Sequence, residues 1–239
     1  MLDIIKGAVS LGLLWSVMTI GVYISYRILE IADLTVEGSI TLGAAIAAQA
    51  ITKGINPYIA TGMALLGGMA AGLVTGLLHT KLKIPALLSG ILTMIALYSI
   101  NLRVLGKASL SLLRMETVYT AFEKIGLESS WAIIALGFIS VTVVICFLYW
   151  FFGTEIGCAI RATGNNPNMV RAQGINTNTM ITIGLIISNG IVAMSGALIA
   201  QNQTFADVQM GTGSIVIGLA SVIIGEVLFG KRNYFMRLT

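Results

Sequence analysis

The sequence predicts an all-α integral membrane protein, a bundle of about seven transmembrane or half-membrane helices. Three observations predict it. Only 10% of the 239 residues are charged, 14 Lys or Arg and 10 Asp or Glu, while 56% are hydrophobic and the mean hydropathy is +0.92. An ordinary soluble domain carries about 25% charge, and a soluble fold of this length cannot hide so much apolar surface. The charges are also segregated: residues 7–26, 38–52, 56–78, 84–102, 129–154, 176–206 and 208–225 contain no Asp, Glu, Lys, Arg or His. Finally, these runs are continuously apolar and do not alternate, so they fit helices and not a β-barrel. A soluble enzyme, a disordered chain and a nucleic-acid binder are thereby excluded. The net charge of +4 is scattered between apolar blocks. It makes no basic patch and reads as the positive-inside bias of membrane loops.

The first run, 7–26, is too long for a signal-peptide core, and no small-x-small cleavage site follows it. The second, 38–52, is short and ends at Lys53-Gly54-Ile55-Asn56-Pro57, so it is a short helix or half of a broken one. The third carries Ala64, Gly68, Gly72 and Gly76 at every fourth position, one small-residue face for close helix packing. The fourth, 84–102, leads into a polar segment, 103–128, whose Leu110, Leu112, Leu113, Val118, Phe122 and Ile125 could form an amphipathic face on the membrane. The fifth, 129–154, precedes a polar loop, 154–175. The sixth, 176–206, repeats small residues at Gly184, Ser188 and Gly196, and the last extends to about Phe229. If 154–175 is cytoplasmic, alternation puts 79–83, 27–37 and the C-terminus on that side. The N-terminus and 103–128 then lie outside. Residues 1–239 form one domain.

Several patterns carry no chemistry. Residues 225–231 fit G-x-x-x-x-G-K, but Arg232 stands where a phosphate-binding loop needs Ser or Thr, and the run closes a membrane segment. Cys146, Cys158 and the single His79 form no metal or disulfide spacing. No carboxylate pair or catalytic triad lies in the apolar runs, so the chain is not expected to be an enzyme or to hold a cofactor. With neither buried acids nor a nucleotide motif, energy for uphill transport would come from a partner.

Two features point to a function. Gly38-Ser39-Ile40-Thr41-Leu42-Gly43-Ala44-Ala45 echoes Gly213-Ser214-Ile215-Val216-Ile217-Gly218-Leu219-Ala220. Such repeats recur in transporters, with the solute site between short or glycine-interrupted helices. Helix N-termini are expected at Ser39 and Ser214. The loop 154–175 reads as two short helices. Gly164 and Asn165 break the first, Asn166 caps the second with Pro167 at its first position, and Gly174 takes the left-handed C-terminal position. Ala159, Ile160, Ala162, Met169, Val170 and Ala172, flanked by two arginines, make a small knob suited to a groove on a soluble partner.

This loop resembles the cytoplasmic coupling loop of ABC-importer permeases of the branched-chain amino acid and ribose type. Thr154, Gly157, Arg161, Ala162, Gly164, Asn166, Gly174 and Ile175 meet the family pattern, while Val170 replaces its alanine. Asp33-Leu34-Thr35-Val36-Glu37-Gly38-Ser39 resembles the segment before the family's broken second helix, and Gly225-Glu226-Val227-Leu228-Phe229-Gly230 resembles its G-x-x-L-F-G. The wording of residues 101–107 is closest to the subgroup for tryptophan or other aromatic amino acids. The resemblance implies a permease subunit in the bacterial cytoplasmic membrane, paired with a second permease copy as a homodimer. It further implies a partner ABC ATPase that holds ATP and Mg²⁺, and an external solute-binding protein that docks on 103–128. The coupling set is then Gly157, Ile160, Arg161, Ala162, Gly164, Asn165, Asn166, Arg171 and Gly174. The solute path is expected along Thr41, Gly43, Gln49, Asn189, Ser214, Gly218 and Ser221. The family usually continues for two further helices beyond the L-F-G motif, so the chain is expected to be C-terminally truncated or its bundle completed otherwise. A passive channel or secondary carrier without an ATPase explains the packing equally well but leaves the two-helix loop unexplained, as does a membrane scaffold.

Overall fold

The computed structural model describes residues 2–123 and 129–229, and among them the apolar runs are mostly helical. Helix α1 (Leu2–Tyr23) continues into a π-helical turn (Ile24–Ile28). An irregular stretch, 29–34, then leads into α2 (Thr35–Thr52). Asn56 accepts the Tyr58 N–H at 2.9 Å and, with Pro57 behind it, starts α3 (Pro57–Thr80). Next come α4 (Ala86–Leu105), β1 (Ser109–Ser111), α5 (Val118–Glu123) and α6 (Ser129–Phe152). The short pair α7 (Glu155–Asn165) and α8 (Pro167–Ala172) precedes α9 (Thr177–Gln203), β2 (Phe205–Asp207) and α10 (Ser214–Phe229). Five units are long and apolar enough to cross a membrane: α1 with its π-turn, α3, α4, α6 and α9. The chain is therefore a multi-pass, all-α membrane protein.

Helix α9 is the axis. Its small residues face different neighbours at each height. Ser188 Oγ donates to Gly21 O at 2.8 Å and Ser195 Oγ to Leu14 O at 2.9 Å, so α1 runs antiparallel to it. The predicted stripe on α3 faces α9 as well: a Cβ on Gly68 would lie 2.3 Å from Asn189 O, and one on Gly72 equally close to Leu185 O. Helix α2 runs parallel to α9, and a Cβ on Gly43 or Gly196 would strike the other helix's backbone. In lipid such backbone-on-backbone contact replaces the hydrophobic drive. The opposite faces of α4 and α6 present Ile100, Phe138, Val143 and Trp150, all exposed and apolar, as lipid demands.

These contacts separate the two ends. The turn at 28–34, the loop at 79–84 and the α7–α8 pair share one end; the N-terminus, 53–56 and the β1–β2 pair share the other, matching the expected alternation. Helix α2, 18 residues and ~27 Å long, is an unbroken and almost wholly buried helix, preceded by a break and not interrupted by one. It starts at Thr35, ahead of the expected Ser39, because Asp33 Oδ1 accepts the Thr35 N–H at 2.9 Å. The last apolar run is not one helix. Residues 208–213 descend without helical structure until Gly211 and Gly213 meet α2, and α10 begins there, at Ser214 as expected.

Segment 103–128 departs from the amphipathic surface expected of it. β1 pairs antiparallel with β2, with Leu110 opposite Ala206, and this drives Leu112 and Val118 into the bundle. Gln201 fastens the segment by accepting the Val118 N–H at 3.0 Å and donating to Thr61 Oγ1 at 3.0 Å. Tyr119 donates to Leu198 O, and its burial pushes the phenol well above the usual tyrosine range. Of the predicted face only Leu113 is strongly exposed; the Phe122 side chain and Ile125 lie outside the described residues.

Candidate coupling element and solute pathway

The loop 154–175 folds as the two predicted helices. Thr154 Oγ1 accepts the Gly157 N–H at 3.3 Å to start α7. Asn166 Oδ1 accepts the Met169 N–H at 3.1 Å to start α8, with Pro167 first in the helix, and Gly174 closes it at φ +82°. The break between them falls at Asn166, one residue later than expected, since α7 runs through Gly164 and Asn165. The knob is divided by the packing. Ile160 and Val170 are fully buried against the bundle, Ala159 and Ala162 half so, and Met169 and Ala172 face outward together with Ile156. Apolar knob residues thus serve first to attach the element, because the bundle end offers them a nearer apolar surface than any partner could.

Gly157 and Gly164 are positions of close approach. A Cβ on Gly157 would lie 2.3 Å from Phe151 O, and one on Gly164 would overlap Ile28 O. Gly164 therefore joins α7 to the π-turn that ends α1. Of the two arginines, Arg161 is half-buried and donates to Cys158 Sγ at 3.1 Å, while Arg171 is exposed and donates from Nε to Thr177 Oγ1 at 2.8 Å. The outward surface is Ile156, Asn165, Asn166, Asn168, Met169 and Arg171.

The expected pathway residues do not lie along one channel. Asn189 is fully buried near the middle of α9. It accepts from Ser39 Oγ at 2.6 Å and donates to Asp33 Oδ2 at 2.7 Å and Leu185 O at 3.1 Å, so it is spent on holding α2 and the 29–34 turn to α9. Gly43 is a contact with Ala193, and Gly218 packs near Met18 and Val22. Gln49 borders a separate hollow of about 190 Å³ at the end carrying Lys53 and Val104. Ser221 is exposed and bonded to Ile217 O, whereas Ser214 Oγ is buried without a partner among the described residues. Thr41 alone lines the larger cleft, about 360 Å³ between α2, α4 and residues 208–213.

That cleft borders one of two acids that the reading of apolar runs missed. Asp33 and Glu37 lie between runs and were assigned to a loop, yet the break before α2 folds both into the bundle. Glu37 Oε1 accepts the Gly213 N–H at 3.0 Å and borders the cleft with Thr41, Met94, Ile95, Tyr98 and Val208. Two acids that lie outside every charge-free run are thus folded into the bundle, Asp33 buried and Glu37 half-buried. One sequence signal was available: Asp33 two residues before Thr35 is the spacing of an Asx turn opening a helix, which moves the helix start ahead of Glu37. Toward the other end of α10, Arg27 Nε meets Glu226 Oε1 at 2.7 Å and ties the π-turn to α10. Glu226 belongs to the stretch that imitates a phosphate loop, and its helical setting removes that reading. Gly230 and Lys231 lie outside the described residues.

A family model described as "Branched-chain amino acid transport system / permease component" matches residues 4–232. The chain is 44% identical over 228 residues to a tyrosine transport system permease protein of Clostridioides difficile (strain R20291), an alignment covering 95% of this chain and 75% of that protein. It is 33% identical over 228 residues to an uncharacterized protein of Rickettsia prowazekii (strain Madrid E), covering 95% and 79%. Autoinducer 2 import system permease protein LsrC of Photorhabdus luminescens is 24% identical over 195 residues, covering 82% of this chain and 57% of the relative. No solved structure matches. The match to nearly the whole chain, together with the membrane helices and the two-helix loop, places this protein in the branched-chain amino acid transport permease family, as a transport subunit and not an enzyme.

Proposed function

We propose that this chain is the permease of an ATP-driven importer for an amino acid in a bacterial cytoplasmic membrane. It works as a homodimer above two ATPase subunits, which hold the ATP and Mg²⁺, and an external binding protein delivers the solute. The observation that carries the reading is the α7–α8 element. It is anchored by buried Ile160 and Val170 and joined through Gly164 to the π-turn, and it leaves Ile156, Asn168, Met169 and Arg171 free to meet a partner. A connecting loop has no use for two capped helices. A push on α7 is transmitted to Ile28 and Leu29, beside the break ahead of α2, and through Arg27 to Glu226 on α10. Short helices next to breaks are the elements that move as rigid bodies in alternating access. The tyrosine permease relative makes L-tyrosine the first solute to try.

The test is reconstitution of the permease with its ATPase and binding protein. Met169→Glu places a charge on the outward face, where Met169 is 47% exposed, without touching the anchored one. It should abolish co-purification of the ATPase and ATP-dependent uptake while the permease remains folded. Uptake at the wild-type rate in the variant, or uptake by the wild type without ATP, would refute the proposal. Gly164→Glu is the poorer variant, because any side chain there collides with Ile28 O whether or not an ATPase is present.

A further inference from the structure

Glu37 occupies an expensive position. It stands two residues before Ser39, which is bonded to Asn189 near the middle of α9, so its carboxylate lies at membrane depth. Acids at such depth face an aqueous cavity or a cation and mark solute paths. A carboxylate offers about four lone-pair sites, and the structure gives its Oε1 the Gly213 N–H, presented by a turn whose glycine sits at φ +77°. Among the described residues no Lys, Arg or His pairs with it, and Arg27 is engaged with Glu226. Glu37 is thus open to a cation from outside the described residues.

The cleft wall decides its kind. Among the described residues there is no group of three or more His, Cys, Asp or Glu that could hold a metal ion, so nothing in the wall marks it as a site for a metal bound by such side chains. The remaining wall is mostly apolar and aromatic, from Met94, Ile95, Tyr98 and Val208, with Thr41 beside Glu37 and Thr212 as its other hydroxyl-bearing residues. At about 360 Å³ the cleft falls in the ~300–1,000 Å³ range of small-molecule sites. One carboxylate at the end of an apolar hollow suits an organic ammonium with a hydrophobic body.

We propose that the cleft between α2, α4 and residues 208–213 is a solute site, in which Glu37 takes the ammonium group of the transported amino acid and Tyr98 and Met94 receive its apolar side chain. This rests on the amino acid importer reading and adds the place and the group recognised. Glu37 becomes the specificity-determining residue, and solutes lacking an amino group are rejected there.

Two measurements test it on the reconstituted complex of permease, ATPase and binding protein. Glu37→Gln keeps an acceptor for Gly213 but removes the charge. It should lower L-tyrosine uptake about 10- to 100-fold, the loss of one charge-assisted hydrogen bond, with thermal stability and ATPase co-purification unchanged. Glu37→Asp should recover part of the loss. In a Cys146→Ser, Cys158→Ser background, Tyr98→Cys should react with a water-soluble maleimide. L-Tyrosine should slow that reaction severalfold, its des-amino analogue should not, and adding Glu37→Gln should remove the protection. Wild-type uptake of L-tyrosine with unchanged uptake by Glu37→Gln overturns this site and leaves the importer reading standing. So does a Tyr98→Cys thiol unreactive with and without solute, which would mean another surface covers the cleft. If the wild-type complex imports no amino acid with ATP, the importer reading fails and the site falls with it.

Discussion

Asn189→Ala tests whether the buried amide is a structural clasp. The substitution removes three hydrogen bonds. The one to Leu185 O is local to α9 and its loss costs little. The bond from Ser39 is an interhelical bond between neutral groups, worth about 0.6–1.7 kcal/mol in membrane proteins. The bond to Asp33 is charge-assisted and worth about 1.5–3 kcal/mol; its loss leaves Asp33 Oδ2 unpartnered at a residue only 2% exposed. The expected destabilisation is about 2–4 kcal/mol, or a 30- to 700-fold change in the unfolding equilibrium. Reversible unfolding in mixed micelles measures it. A cycle with Ser39→Ala should return a coupling of about 0.6–1.7 kcal/mol. Asn189→Asp should be worse than alanine, because it sets a second carboxyl group against Asp33 and removes the amide donor. A loss below about 0.5 kcal/mol, within the range of ordinary surface substitutions, would refute the clasp and restore Asn189 to the solute path.

Two further outcomes follow from the packing. Gly43→Ala should prevent stable folding, since its Cβ would overlap Ala193 O, while Gly62→Ala, with nothing within 4 Å, should gain up to about 1 kcal/mol from helix propensity; thermal unfolding of both variants separates site-specific packing from a general sensitivity of membrane glycines. Arg27→Gln should speed amide exchange along α10 while leaving α3 unchanged, because the ion pair to Glu226 binds α10 to the π-turn; equal protection in both proteins would show the pair to be idle.

What the sequence made readable is local. Asn166-Pro167 and Gly174 declare their helix ends through groups that act within three residues, and both were found where the pattern put them; Asn56-Pro57 carries the same signal at the start of α3. The small-residue stripe on α3 likewise announces a face, though not which helix meets it. The misreadings share one cause. Counting charge-free runs treats every charged residue as lying outside the membrane, and a chain that breaks inside the bundle violates that assumption. The break at 29–34 carries Asp33 and Glu37 inward, Asp33 to Asn189 and Glu37 to the Gly213 of the unwound 208–213. The pairing of β1 with β2 is also non-local and left no trace in either three-residue strand, so Leu112 was assigned to a surface when it belongs to the core.

The near-total burial of α2 has a consequence for how the protein is made. Ser39 and its partner Asn189 are 150 residues apart in the chain. At about 5–20 residues per second of synthesis, α2 emerges roughly 8–30 s before the helix that satisfies it. During that interval Ser39, Asp33 and Glu37 have no lasting place in lipid. Biogenesis must therefore hold this segment at the insertion machinery or the membrane surface, and admit it only when α9 arrives to close the bundle around it.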